Sequence, residues 1–299
     1  IFLQRKQIKM SYQKTILAAF MFLFFNNILA QNENNASLNN AFFEQTNHFF
    51  STYVTQNGLV DYQALSDNSQ DLLELLKIVD NVSIKLLDKN TKKAFYINAY
   101  NLCVIKSVVL DYPINSPKEV PFFFDTKHHK IAGQYMGLNE LEQFLLREYK
   151  DSRLHFVLVC AALGCPKLAN FAYFPQKVET QIEAQTHKVL HDSDFIKIDS
   201  IQQKIGISQI FRWYENDFLK THTNLRSFIN EYINHGLSSN YKIYFYEYNW
   251  QLNDTKTPNF DAKKRRRPYQ TSALLGKNGT EYKMFNNLYT QNVQQYRST

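Results

Sequence analysis

The stretch Arg153-Leu-His-Phe-Val-Leu-Val-Cys-Ala-Ala-Leu-Gly-Cys-Pro166 decides how this chain is read. An apolar, largely β-branched run, Phe156 to Val159, lies between His155 and Cys160, and the tight turn Gly164-Cys165-Pro166 follows. Such a run predicts a short buried strand that delivers a histidine at its start and a cysteine at its end. Side chains alternate along a strand, so Phe156, Leu158 and Cys160 share one face and His155, Val157 and Val159 the other. His155 and Cys160 then point apart, and a dyad within the stretch needs a bulge.

Four further motifs stand around it in a fixed order. Phe95-Tyr-Ile-Asn-Ala-Tyr-Asn101 precedes it, Cys165-Pro166 closes it, and Ile210-Phe-Arg-Trp-Tyr-Glu-Asn-Asp-Phe218 and Tyr248-Asn-Trp-Gln-Leu-Asn253 follow. Together they resemble the DUF547 family, over roughly residues 95–218 with weaker flanks. The resemblance implies a domain and brings no activity with it. Glu142 and Arg147 also sit where the family shows similar charges, and a structural ion pair with another element is the reading they favour.

Working outward, Ala41 to Tyr53 reads as a helix carrying Phe42, Phe43, Phe49 and Phe50, and Gly58 to Tyr62 as a brief extended piece. Ser69 is placed to cap a helix through Leu72, Leu75, Leu76 and Val79. The next helix starts near Asn90 or Thr91 and stops at Tyr112-Pro113. Within it Asn98 and Asn101 are three apart and share a face. Asparagine is a poor helix former, so the pair either lines a site or bonds a neighbouring loop's backbone. The span 113–133 reads as irregular and aromatic. An amphipathic helix is predicted from Gly137 to Arg147, and a long polar helix from Lys177 to His191. Residues 194–199 and 203–207 predict a β-hairpin. Ser208 is placed to cap a helix over 210–218, Asn224 starts a last helix ending near Gly236, and Lys242 to Glu247 predicts a final strand. The pattern is α+β: a small central sheet, formed by the 156–160 strand, the hairpin and the last strand, covered by several helices.

The 299 residues suffice for one sizeable domain, and a hydrophobic fraction of 44% marks a globular chain. The net charge of +7 is misleading. Residues 1–30 hold four Lys/Arg and no acid, and residues 255–299 hold nine and two. That leaves 21 basic and 25 acidic side chains between them, a net of −4. The domain is mildly acidic and gives no electrostatic footprint for nucleic acid. Met10 to Lys14 followed by the apolar Thr15 to Phe25, with Ile28-Leu-Ala30 ahead of Gln31, reads as a secretory signal peptide. An uncleaved helix contacting a membrane is the alternative. Residues 1–9 read as extension ahead of Met10, 31–40 as a polar linker, 41–253 as the domain, and 254–299 as a basic, Asn-rich tail. The expected location is secreted or periplasmic.

Two readings of the chemistry follow. A Cys-His-Asn thiol enzyme would use Cys165 or Cys160 as nucleophile, His155 as base and Asn98 or Asn101 to orient it, for amide or peptide hydrolysis or acyl transfer. A binding module of the envelope would instead line a groove with Tyr100, Phe122, Phe123 and Tyr173 for a peptide, glycan or protein partner. The second is preferred, because a Cys160–Cys165 disulfide, open to an exported chain, would remove the thiolate. Cys103, in an apolar helical pattern, reads as a core residue. A redox pair is weaker, since the spacing is not Cys-x-x-Cys. His128-His129 lacks companion ligands, so no metal is expected. No Gly-rich phosphate loop occurs and no cofactor is expected.

Overall fold

A computed structural model describes residues 41–125, 128–233 and 236–256. The signal-peptide and linker readings, and the tail from 257 onward, lie outside the described residues. The chain divides into two units, residues 1–44 and 45–299. In the first, residues 41–44 are helical. The second holds the other helices and both sheets.

Its centre is a helix buried on every side. The helices in order are α1 (residues 45–53), α2 (Tyr62–Asp67), α3 (Gln70–Asn81) and α4 (Lys89–Asp111). Asp88 starts α4 by accepting the amides of Asn90 and Thr91, which otherwise lack helical partners. Residues 93–105 of α4 are all buried, so α4 is enclosed around its whole circumference instead of along one stripe, with Lys93, Asn98 and Asn101 among the buried side chains. It packs against α2, α3, α5 (Leu138–Tyr149) and α6 (Val178–Leu190). Those helices are amphipathic, and α5 buries Leu138, Leu141 and Leu145 as the periodicity predicts.

Two small sheets accompany the helices. β1 (His129–Ile131) and β2 (Gln134–Met136) form an antiparallel hairpin in the span expected to be irregular. Its turn, Ala132-Gly133, donates amides to the carbonyls of Val79 and Asp80 and so caps the C-terminal end of α3. The second sheet has the order β3 (Ile196–Asp199), β4 (Lys204–Ile207), β5 (Lys242–Phe245). β3 and β4 are the expected hairpin, with Ile198 opposite Ile205, and β5 runs parallel to β4. A parallel neighbour requires a crossover, made here by α7 (Gln209–Trp213), α8 (Glu215–Phe218) and α9 (Leu225–Tyr232). The helix expected over 210–218 is broken at Tyr214 (φ −115, ψ 25). Among the described residues no helix is long and apolar enough to cross a membrane.

The fold class is α+β, but the central strand is corrected. Ser152–Phe156 is a 3-10 helix, and Val157 (φ −120, ψ −17) is not extended. The run is buried as expected, with Phe156 in an aromatic core of Phe195, Phe211, Phe218 and Phe228. Its polar backbone is satisfied without a sheet. Leu158 donates to Leu154, and the Asn101 side chain donates to the Val157 carbonyl and accepts from the Val159 amide. A buried backbone needs partners, and one side chain of α4 stands where a neighbouring strand would.

Candidate functional site

The paired asparagines of α4 set the backbone on which the site is built. Asn98 donates to the Tyr173 carbonyl at 2.8 Å and accepts its amide at 3.0 Å. Asn101 does the same for Val157 and Val159 at 2.9 and 3.1 Å. Both amides are therefore spent on main chain, as the backbone-holding reading expects.

Beyond the Asn101 clamp the chain turns through Ala161, at φ 59, a backbone region that residues other than glycine rarely adopt. The turn lies antiparallel to the 249–253 segment. Leu163 and Gly164 donate to Gln251 and Asn249 at 2.7 and 2.8 Å, and Asn253 donates to Ala161 at 3.1 Å. Only glycine fits at 164: a Cβ would stand 2.9 Å from the backbone N and O of Asn249.

This pairing brings Tyr248 onto the cysteines. Cys160 and Cys165 form a disulfide (S–S 1.99 Å), so neither sulfur is a thiolate in this form. The Tyr248 hydroxyl donates to Cys165 Sγ at 3.0 Å and lies 3.1 Å from Cys160 Sγ. The Cys160 amide donates to Cys165 Sγ at 2.9 Å. Cys165 is buried and Cys160 partly exposed. Burial drives the Tyr248 hydroxyl well above its ordinary pKa, so it is a proton donor at any physiological pH.

A second cluster surrounds His155. Its Nε2 is 3.0 Å from Asp217 Oδ2 of α8, and its Nδ1 is 3.7 Å from Glu142 Oε1 of α5. Tyr214 stacks on the ring with centroids 4.0 Å apart. Burial, and then the nearby Glu142 carboxylate, push the Tyr100 and Tyr214 hydroxyls above their ordinary pKa. Burial disfavours the charged imidazole, yet the bonds to Asp217 and Glu142 outweigh it and raise the His155 pKa. Conversely, the bond to His155 holds the Asp217 carboxyl down at about 2. Glu142 thus pairs with another element, the turn that carries His155. Beside the cluster, the buried Lys93 bonds Asp151 and Glu179, and Arg153 bonds Asp151, Glu179 and Glu183. The buried charge of Lys93 is thereby matched, as a buried charge must be.

An open cleft adjoins the disulfide turn. Asn115, Ser116, Glu247, Tyr248, Asn249, Trp250 and Gln251 line it. The chain's two tryptophans, Trp213 and Trp250, stack at 5.9 Å, and Tyr248 packs on both at 4.9 and 4.8 Å. Trp213 is 48% exposed.

Residues 84–190 match the family model described as protein of unknown function, DUF547. The chain carries a DUF547 domain. No curated protein and no solved structure matches it. The DUF547 segment supplies Asn98, Asn101, Glu142, His155, Cys160 and Cys165, whereas Trp213, Asp217, Tyr248 and Trp250 come from sequence beyond the matched span.

The expected site residues separate in the structure. Cys160 and Cys165 come together, and His155 stands in the carboxylate cluster. Tyr100, Phe123 and Tyr173 are core residues, at 2%, 3% and 1% exposure, while Phe122 is exposed. A shared groove of those four is therefore corrected: three of the rings fill the interior, and the aromatic cleft is lined by Tyr248 and Trp250, on which Trp213 stacks. A chain with only two tryptophans, both inside ordered motifs, held the signal for it. Among the described residues no group of three or more His, Cys, Asp or Glu is arranged to hold a metal ion.

Proposed function

We propose that this protein is an exported, envelope-associated binding module whose ligand is a glycan, taken up in the cleft formed by Tyr248 and Trp250 with Trp213 at its edge. One observation carries the reading: the rings of Tyr248 and Trp250, with Trp213 packed against both, line a cleft whose other walls are amide, hydroxyl and carboxylate side chains. A pyranose ring has apolar C–H faces and a rim of hydroxyls. Flat aromatic faces match the former, and Asn115, Asn249 and Gln251, which both donate and accept, match the latter. Export is supported by the basic-then-apolar stretch from Met10 to Phe25 and agrees with a disulfide-bonded domain.

The two tryptophans make the test direct, since both report on this cleft. Titration with N-acetylglucosamine oligomers, with unrelated peptides as control, should shift intrinsic fluorescence for the sugars alone, and Trp250→Ala should abolish the shift. A response to peptides and none to sugars would replace the ligand class. Silence to both would end the binding reading.

The alternative is a Cys-His-Asn thiol enzyme acting on amides or peptides. It requires the disulfide to open and His155 to leave its carboxylates. Rapid alkylation of Cys160 or Cys165 in the native chain, lost in His155→Ala, would favour it.

A further inference from the structure

The two sulfurs of the disulfide are not equivalent. Cys165 is buried, and its Sγ has two donors, the Cys160 amide at 2.9 Å and the Tyr248 hydroxyl at 3.0 Å; the hydroxyl also lies 3.1 Å from Cys160 Sγ, so the amide and the burial make the difference between the sulfurs. Cys160 belongs to a partly exposed residue, and the turn beside it carries the exposed Leu163. Thiol–disulfide exchange has two demands on geometry: one sulfur reachable by the attacking thiolate, the other stabilised as it leaves. Donors aimed at a sulfur favour its thiolate.

We propose that Cys160–Cys165 is an exchange-active disulfide that accepts two electrons from an external dithiol, with Cys160 as the sulfur attacked and Cys165 as the leaving thiolate. The spacing alone argued against a redox pair; the placement of the donors argues for one. An incoming thiolate bonds to Cys160 Sγ as the Cys160–Cys165 bond breaks, and the electron pair passes to Cys165 Sγ, where the Cys160 amide and the Tyr248 hydroxyl hold it. The second thiolate of the dithiol then attacks the sulfur bonded to Cys160. The dithiol departs as a disulfide, and Cys160 leaves as a thiolate that takes a proton from solvent. One disulfide is formed and one consumed. Tyr248 is the positioning residue, and the step is independent of the glycan reading.

Glutathione, a monothiol, stops the sequence at the first step. The oxidised full chain is incubated with it, quenched by an alkylating agent and mapped by mass spectrometry. Glutathione is expected on Cys160 and the alkyl group on Cys165. Cys103 is a built-in control: it is buried, its thiol is pushed up to about 12 by that burial, and it should remain unlabelled. Tyr248→Phe should slow adduct formation several-fold and raise the pH midpoint for alkylation of Cys165 in the reduced chain; a merely structural loss would not move that midpoint. Tyr248→Phe with an unchanged midpoint, glutathione on Cys165, or adducts only after unfolding in urea would each overturn the proposal.

Discussion

Asn98 and Asn101 each hold one donor and one acceptor of buried main chain, on Tyr173 and on Val157 and Val159. Truncating either amide to alanine strands both backbone groups where water does not reach. A stranded buried group costs about 1–3 kcal/mol, so Asn98→Ala and Asn101→Ala should each destabilise the fold by about 3 kcal/mol, read as a lower urea midpoint with little change in slope. Wild-type stability with loss of ligand binding would instead make the amides ligand groups. The pair was visible in the sequence, because two poor helix formers on one face of an aromatic helix need a reason. What they grip was not, since the Asn98 clamp closes 75 residues away. Glu142 was legible only as a charge, and its three ring partners come from three separate elements. The core role of Cys103 followed from its apolar neighbours and is what the structure shows.

At the scale of elements, a period in the sequence reports burial better than it reports backbone. Amphipathic α3 and α5, and the alternating hairpin β3–β4, could be read because one face differs from the other. Phe156 to Val159 is apolar throughout, and such a run fits a buried strand or a buried turn equally. The clamp from Asn101 decides it. The β1–β2 hairpin escaped notice because its strands are three residues each and its turn is fixed by the end of α3. Two glycines separate the close approaches that matter from those that yield. A Cβ at Gly164 meets the Asn249 backbone at 2.9 Å, and one at Gly206 meets the Tyr244 ring at 2.8 Å. Tyr244 is 42% exposed and can swing aside; the Asn249 backbone is tied into the pairing that positions Tyr248. Gly164→Ala should therefore cost about 2 kcal/mol, within the usual range for overpacking, and Gly206→Ala less than about 1 kcal/mol. Equal losses in thermal unfolding would show that the 161–164 turn is free to move.

Across the whole molecule, α5, the 3-10 turn and α8 meet at His155, and their meeting makes stability depend on pH. The groups facing the imidazole are Asp217 at Nε2, Glu142 at Nδ1 and the ring of Tyr214, while Lys220 pairs the far oxygen of Asp217 at 2.7 Å. His155 has a raised pKa in the folded state, so its contribution is complete below its unfolded value, about 6.5, and is lost as pH rises through the folded value. Asp217 is lowered to about 2, so its contribution is complete above its unfolded value, about 3.9, and is lost as pH falls towards 2. Both are present together from about pH 4 to 6.5, and this contribution should decline on either side. Breaking a fully buried pair costs about 3–5 kcal/mol; because the Asp217 side chain is 20% exposed, Asp217→Asn should cost about 2 kcal/mol at pH 5.5. The same substitution removes the main group raising the His155 pKa, so the fall in stability between about pH 6.5 and 8 should flatten. Lys220→Met, at an exposed lysine, should change stability by less than about 1 kcal/mol. Urea midpoints of the three chains from pH 4 to 8 check this. Parallel wild-type and Asp217→Asn curves would mean that the imidazole stays neutral in the fold, and the carboxylates would then fix its orientation without holding a proton on it.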